Sequence, residues 1–130
     1  LEIIDGGEAL ICDEPIEFFP LPHGHHTTLG ILHRKMAYIT DCKSIPPETL
    51  TKLRNAKLQI LIIDCLRPRP HQTHLHFDLT LQYIEAISPL VAVLTHMGHE
   101  WEYLDLLSQI RERGIKNVFP AIDRQSFLYS

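Results

Sequence analysis

Short apolar runs that stop at a cation-binding residue recur along this chain. Phe18 to Leu21 leads to His23, Met36 to Ile39 leads through Thr40 to Asp41, Leu61 to Ile63 leads to Asp64, and Val91 to Leu94 leads through Thr95 to His96. Runs this short, rich in β-branched and aromatic residues and bounded by turn formers, predict strands. The full set is Leu1 to Asp5 and Ala9 to Cys12 around a Gly6-Gly7 turn, then Ile16 to Leu21. A hairpin of Thr27 to Leu32 and Met36 to Thr40 turns at His33-Arg34-Lys35, and Leu58 to Ile63, Leu90 to Leu94, Val118 to Ile122 and Phe127 to Tyr129 complete it. Pro20 and Pro22 force extended backbone and bar a helix before His23. Helical spacing fills the gaps. One helix opens at Pro46-Pro47-Glu48 behind a Ser44 cap and runs to about Ala56. A second runs from Thr73 to Ile87, capped by Thr73 or His74, with Leu79, Tyr83, Ala86 and Ile87 on one face. A third runs from Glu100 or Trp101 to Arg113, closed by Gly114. A hairpin meander followed by strand–helix–strand units predicts an α/β fold, a mixed sheet with helices on its outer face.

At 130 residues, 45% hydrophobic and 22% charged, the chain has the composition of one globular domain or part of one. It opens on Leu inside a strand-like segment, which suits a fragment or a processed chain. Net charge is −4 with scattered basic residues, so neither a nucleic-acid surface nor an anionic membrane is an expected partner. No apolar run approaches membrane-spanning length, and the first residues show no signal peptide. Cys12, Cys42 and Cys65 are odd in number and lack a CxxC pair, which argues against a disulfide framework and fits a reducing cytoplasm. Cys42 and Cys65 each follow an aspartate and read as small buried thiols.

Histidine is the outlier, at 9 residues. All but His33 fall in three clusters beside strand-like runs. His23, in a His-Gly-His-His turn, reads as an imidazole ligand fixed at a strand end, or as a turn histidine bonded to backbone. Asp41 can bridge two cations or cap the turn that follows it. His96 is a third strand-end candidate, with His99 behind it as a supporting partner or a helix N-terminal residue. His74 and His76 stand at a helix start, where free N–H groups and partial positive charge gather anions. Arg67 and Arg69 face an anion or simply solvent.

Taken together, Pro-Leu-Pro-His23-Gly-His, Ala-Tyr-Ile-Thr-Asp41, His76-Phe-Asp78-Leu and Leu-Thr95-His96-Met-Gly-His99 resemble the later motifs of metallo-β-lactamase-fold hydrolases. The likeness is greatest to the branch containing the cyclic-phosphate phosphodiesterase of phosphonate breakdown. It implies half of an αββα sandwich and a binuclear site loaded with zinc or manganese. In that site His23 would hold one ion, Asp41 would bridge, and His96 would hold the second. His76 would assist the leaving group of a small, cyclic phosphodiester. The motif His-x-His-x-Asp-His, which carries four ligands in that family, belongs N-terminal to all of these and does not occur in this sequence. The resemblance therefore covers the C-terminal half of a domain, with the N-terminal half as its first expected partner. An unpaired sheet edge would favour a homodimer. Two rivals are a binding module of the same fold that has lost its metals and a histidine-rich metal buffer with no defined site.

Overall fold

The computed structural model describes residues 6–130; the expected strand over 1–5 lies outside them. Seven strands form one sheet in chain order: β1 (Gly7–Ile11), β2 (Glu14–His23), β3 (His26–His33), β4 (Met36–Ile39), β5 (Ile60–Asp64), β6 (Val91–Thr95) and β7 (Val118–Pro120). From β1 to β4 the neighbours are antiparallel; from β4 to β7 they are parallel. Three helices carry the crossovers: α1 (Pro47–Asn55), α2 (Phe77–Ile87) and α3 (Tyr103–Glu112). Parallel crossovers are right-handed. Strand order advances in one direction from β4 to β7, so the rule places all three helices on one face.

Burial follows. Ala37, Leu61, Ala92 and Val118 align across four strands, and Ile39, Ile63, Leu94 and Pro120 align one pleat on; all are buried. They meet Leu53 of α1, Leu81, Ile84 and Ile87 of α2, and Leu106 and Ile110 of α3 in one core. Each such side chain contributes roughly 1.5–3 kcal/mol by leaving water. On β2 the ring of Phe19 lies over Gly30 of β3, where a Cβ would sit 2.2 Å from Cε2. The other face is barer. Phe18, Ile31, Tyr38, Ile62, Val93 and Phe119 form a cross-sheet row from β2 to β7, and Tyr38 is 38% exposed.

Several boundaries differ from the pattern. α2 starts at Phe77, four residues after Thr73, because 67–76 is a bent loop that closes on itself through an isolated parallel bridge between Arg67 and His76. His76 is the N-cap, in β conformation, with no side-chain cap bond. Its buried face is Phe77, Thr80, Leu81, Ile84 and Ile87, leaving Leu79 and Tyr83 half-buried at the margin. Pro46 occupies the N-cap of α1 and no side chain caps it, so Ser44 has no such role. α3 starts at Tyr103 because a turn closed by Trp101 N–H on the Gly98 carbonyl precedes it. Phe127 to Tyr129 is not a strand. Residues 121–130 instead run back from the end of β7, held by side chains: Tyr129 Oη lies 2.7 Å from His33 Nδ1, and Ser130 pairs twice with Gln59. No helix among the described residues is long and apolar enough to cross a membrane.

Candidate metal centre

The strand directions decide which residues meet. β2 runs parallel to β4, β5 and β6, since two antiparallel steps separate β2 from β4. Their carboxyl ends therefore share one edge of the sheet, and His23, Asp41, Asp64 and His96 stand along it. Open α/β sheets bind ligands at this edge. Two of the four carry backbone strain: Asp41 has φ 51° and His96 has φ 55°, both left-handed. That conformation costs a non-glycine residue roughly 1–2 kcal/mol, and strain of this kind gathers at functional sites. Two of the strand ends are held by a threonine: Thr28 Oγ1 donates to the Asp41 carbonyl at 2.7 Å and Thr80 Oγ1 to the Asp64 carbonyl at 2.8 Å.

At the centre lies the Asp41 carboxylate. His96 Nε2 is 3.2 Å from its Oδ1, and His74 Nδ1 is 3.8 Å from the same atom. Ligand atoms of His23, Asp41 and His74 lie within 4.8 Å of one another. The His74 ring packs edge-on against His23 at 4.7 Å and stacks on His96 at 5.0 Å, with His71 at 5.1 Å on another side. His74 is thus the hub of the cluster, supplied by the loop between β5 and α2.

Two tautomers follow from the bonding. His23 Nδ1 lies 2.9 Å from the Thr73 carbonyl, which can only accept, so the proton sits on Nδ1 and the Nε2 lone pair is free. His74 Nδ1 lies 3.0 Å from Asp64 Oδ2, which fixes its ring and leaves Nε2 to the cluster. Asp64 is fully buried. Burial pushes its carboxyl above the ordinary aspartate range, against the hydrogen bond from His74. Burial also pushes the Cys42 and Cys65 thiols up to about 12, with Asp64 adding to both. Burial and the positive charge of Arg67 hold His71 below its ordinary value. Gly24 lets the β2–β3 turn approach the loop: it has φ +62°, and a Cβ there would lie 2.8 Å from Thr73 Cγ2.

The structure brings His23, Asp41 and His96 together. His76 stands apart: its side chain makes no hydrogen bond or ring contact with them, and its Nδ1 is buried without a partner among the described residues. His74 and Asp64 are the pair that sequence reading left unassigned. The signal for Asp64 was present in its apolar run, but its partner is ten residues away across an irregular loop. His25, His26 and His99 are exposed. The donor set suits a divalent cation: imidazoles with a fixed tautomer and a carboxylate with its own oxygen free to bridge.

The fold is thus a mixed α/β sheet that presents a His/Asp cluster at its carboxyl edge. The chain belongs to the beta-lactamase superfamily, whose domain profile matches residues 1–97. Among solved structures it is similar to a diphosphatase of the PhnP family, with TM-score 0.89 and 24% identity over 98% of this chain and 48% of that one. It is also similar to an isothiocyanate hydrolase from Delia radicum gut bacteria, with TM-score 0.72 and 15% identity over 95% of this chain and 57% of that one. At these identities the likeness is one of fold. A curated relative, an octanoyltransferase of Porphyromonas gingivalis (strain ATCC BAA-308 / W83), is 28% identical over 138 residues, 92% of this chain and 28% of its own length. The chain spans about half the length of the similar structures and less of the curated relative.

Proposed function

We propose that this chain is the C-terminal half of a binuclear, metal-dependent phosphodiesterase acting on a small phosphodiester, a cyclic one included. The observation that carries the reading is the convergence of His23, Asp41, His74 and His96 from three strand ends and one loop onto a single point. His23 through Nε2 and His96 would each hold one zinc or manganese ion, with Asp41 between the two. When bound, such a pair supplies Lewis acidity and a nucleophile at neutral pH. The remaining ligands would come from the N-terminal half, packed on the apolar face of the sheet.

His74, not His76, has the geometry of the substrate-side histidine. As an imidazolium it holds one proton on Nδ1 against Asp64 and presents the other on Nε2. A water oxygen adds to phosphorus and gives up one proton to solvent, the ester P–O bond breaks, and the departing oxygen takes the Nε2 proton. Neutral His74 remains, still oriented by Asp64. A buried carboxylate suits this role because it fixes the ring and leaves Nε2 free toward the cluster. The fixed tautomer of His23 and the left-handed backbone at Asp41 and His96 favour a built site over the metal-buffer rival, which would need neither.

Metal analysis and hydrolysis by the complete domain test the proposal. Two tightly held ions per domain, with turnover of a nitrophenyl phosphodiester, are expected. A domain that binds no metal would be the non-catalytic module instead. The 130 residues alone should be inactive, and turnover by them near the rate of the complete domain would sink the half-domain reading.

A further inference from the structure

The loops that carry His74 and His96 are fastened to each other by backbone. Past the end of β6 the ladder with the β5 side continues: the Cys65 N–H donates to the Thr95 carbonyl at 3.0 Å, and the Gly98 N–H to the Leu66 carbonyl at 2.7 Å. Between those two bonds the chain makes a two-residue excursion, and His96 stands on it. Leu66 is gripped from the other side as well. Its own N–H donates to the Leu75 carbonyl at 3.2 Å, and Leu75 is the residue next to His74. Two hydrogen bonds through one peptide unit therefore join the two histidines. Side chains reinforce the join: Glu100 binds Arg69 at 3.0 Å, and the Trp101 ring meets the Phe77 ring edge-on at 5.4 Å.

Gly98 sits where this path is tightest. A Cβ on it would lie 3.0 Å from the Leu66 carbonyl oxygen, so one of the two backbones would have to give by a few tenths of an ångström. The φ of Gly98 is not left-handed, so what the position lacks is room and not conformational freedom. Leu66 cannot yield alone, because Leu75 holds its N–H; a push on its carbonyl is passed to the residue beside His74. We infer that Gly98 is a positioning residue for the proton donor. By letting two backbones touch, it sets where the His74 ring stands against His96, 5.0 Å away in the stack. The inference rests on the hydrolase reading above and deepens it. Asp64 fixes which way the His74 ring faces, and Gly98 fixes how far the ring stands from the metal side of the site.

The test is Gly98→Ala in the complete, metal-loaded domain, assayed with a nitrophenyl phosphodiester and with an alkyl phosphodiester, whose departing alkoxide needs a proton. A misplacement of 1 Å can cost about 10²-fold, so a few tenths should slow the alkyl ester by about three- to tenfold. The nitrophenyl ester should change far less, and metal content should hold. Equal slowing of both esters, or loss of an ion, overturns the inference, since Gly98 would then be structural or serve the metals. Glu100→Ala guards against a Gly98→Ala protein that does not fold. It removes a tie near the surface and should slow the alkyl ester selectively by about twofold; slowing without selectivity overturns the inference too. A measurement without catalysis separates its failure from that of the hydrolase reading. Stacked rings shift each other's proton resonances, so in the complete domain, with or without metal, Gly98→Ala should move the ring resonances of His74 and leave those of His33 in place. Unmoved His74 resonances overturn the inference whether or not either ester is hydrolysed.

Discussion

Two histidine–carboxylate pairs stand at opposite ends of the same sheet. At the carboxyl end His74 Nδ1 meets Asp64 Oδ2 at 3.0 Å, and the carboxylate is 0% exposed; at the other end His33 Nε2 meets Glu14 Oε2 at 3.3 Å, and the carboxylate is 41% exposed. The contacts are alike in length and in chemistry. What differs is the company. Glu14 shares its charge with Arg34 at 2.6 Å in solvent, and Arg34 more than His33 holds its carboxyl below the ordinary glutamate range. His33 has a partner on each nitrogen and nothing left to offer. His74 keeps one nitrogen free among three other imidazoles and Asp41. A histidine–carboxylate contact by itself therefore says little; burial of the acid and a free second nitrogen turn it into a device.

Breaking the centre of the buried end should have the largest effect. In the complete domain, Asp41→Ala is expected to lower metal content well below two ions and activity by roughly 10³-fold or more, since several kcal/mol of charge stabilisation is lost. Retention of both ions would reduce Asp41 to a turn residue. Next comes His74→Ala, expected to slow poor leaving groups by about 10²–10⁴ while nitrophenyl esters suffer much less and metal content holds. His76→Ala should change either substrate far less. If His74→Ala empties a metal site, the hub is a ligand; if His76→Ala matches its leaving-group dependence, the two roles must be exchanged.

A smaller effect tests the loop that carries His74. Gly24→Ala should destabilise the fold by about 1–2 kcal/mol through its left-handed backbone alone, read as a shift in denaturant midpoint, with the Thr73 clash adding to it. Thiol chemistry probes the same end without a mutation. Cys42 and Cys65, raised to about 12, hold almost no thiolate at pH 8 and should resist alkylation until unfolding, whereas exposed Cys12 should label at once. Labelling of all three in the native protein would mean this end is open. At the far end, Glu14→Gln should leave activity and melting midpoint unchanged within error near neutral pH. Glu14 has a depressed pKa, so what it contributes is present above its unfolded pKa and lost as pH falls through the folded one. A large loss on substitution would erase the contrast between the two pairs.

Much of this arrangement could be read from residues in a row. His23, Asp41 and His96 each end a local apolar run, and the parallel strands that align them announce themselves by runs such as Leu61 to Ile63. Asp64 ended such a run too, yet nothing local told it from a buried turn residue. The prominence of His74 over His76 depends on the backbone between Arg67 and His76, which bends and bridges back on itself where a helix start looked natural at Thr73. Side chains at 74 and 76 project differently once that stretch is not helical. The same limit explains the tail: Phe127 to Tyr129 has strand-like composition, but its partners, His33 and Gln59, lie 96 and 71 residues away and engage it through side chains.

The strand order carries a consequence for how the molecule is made. Every strand pairs with its immediate predecessor, from β1 through β7, so no segment waits for a later one to be inserted beside it. The antiparallel pairs from β1 to β4 close short loops and form quickly, whereas the parallel pairs from β4 to β7 wait for their helical crossovers. A nascent chain leaving the ribosome can add one strand at a time, since synthesis runs from the N-terminus at about 5–20 residues per second. The edge groups then arrive in a set sequence: His23, Asp41, Asp64, His74 and last His96. The cluster is therefore assembled only once β6 has docked and brought His96 beside Asp41.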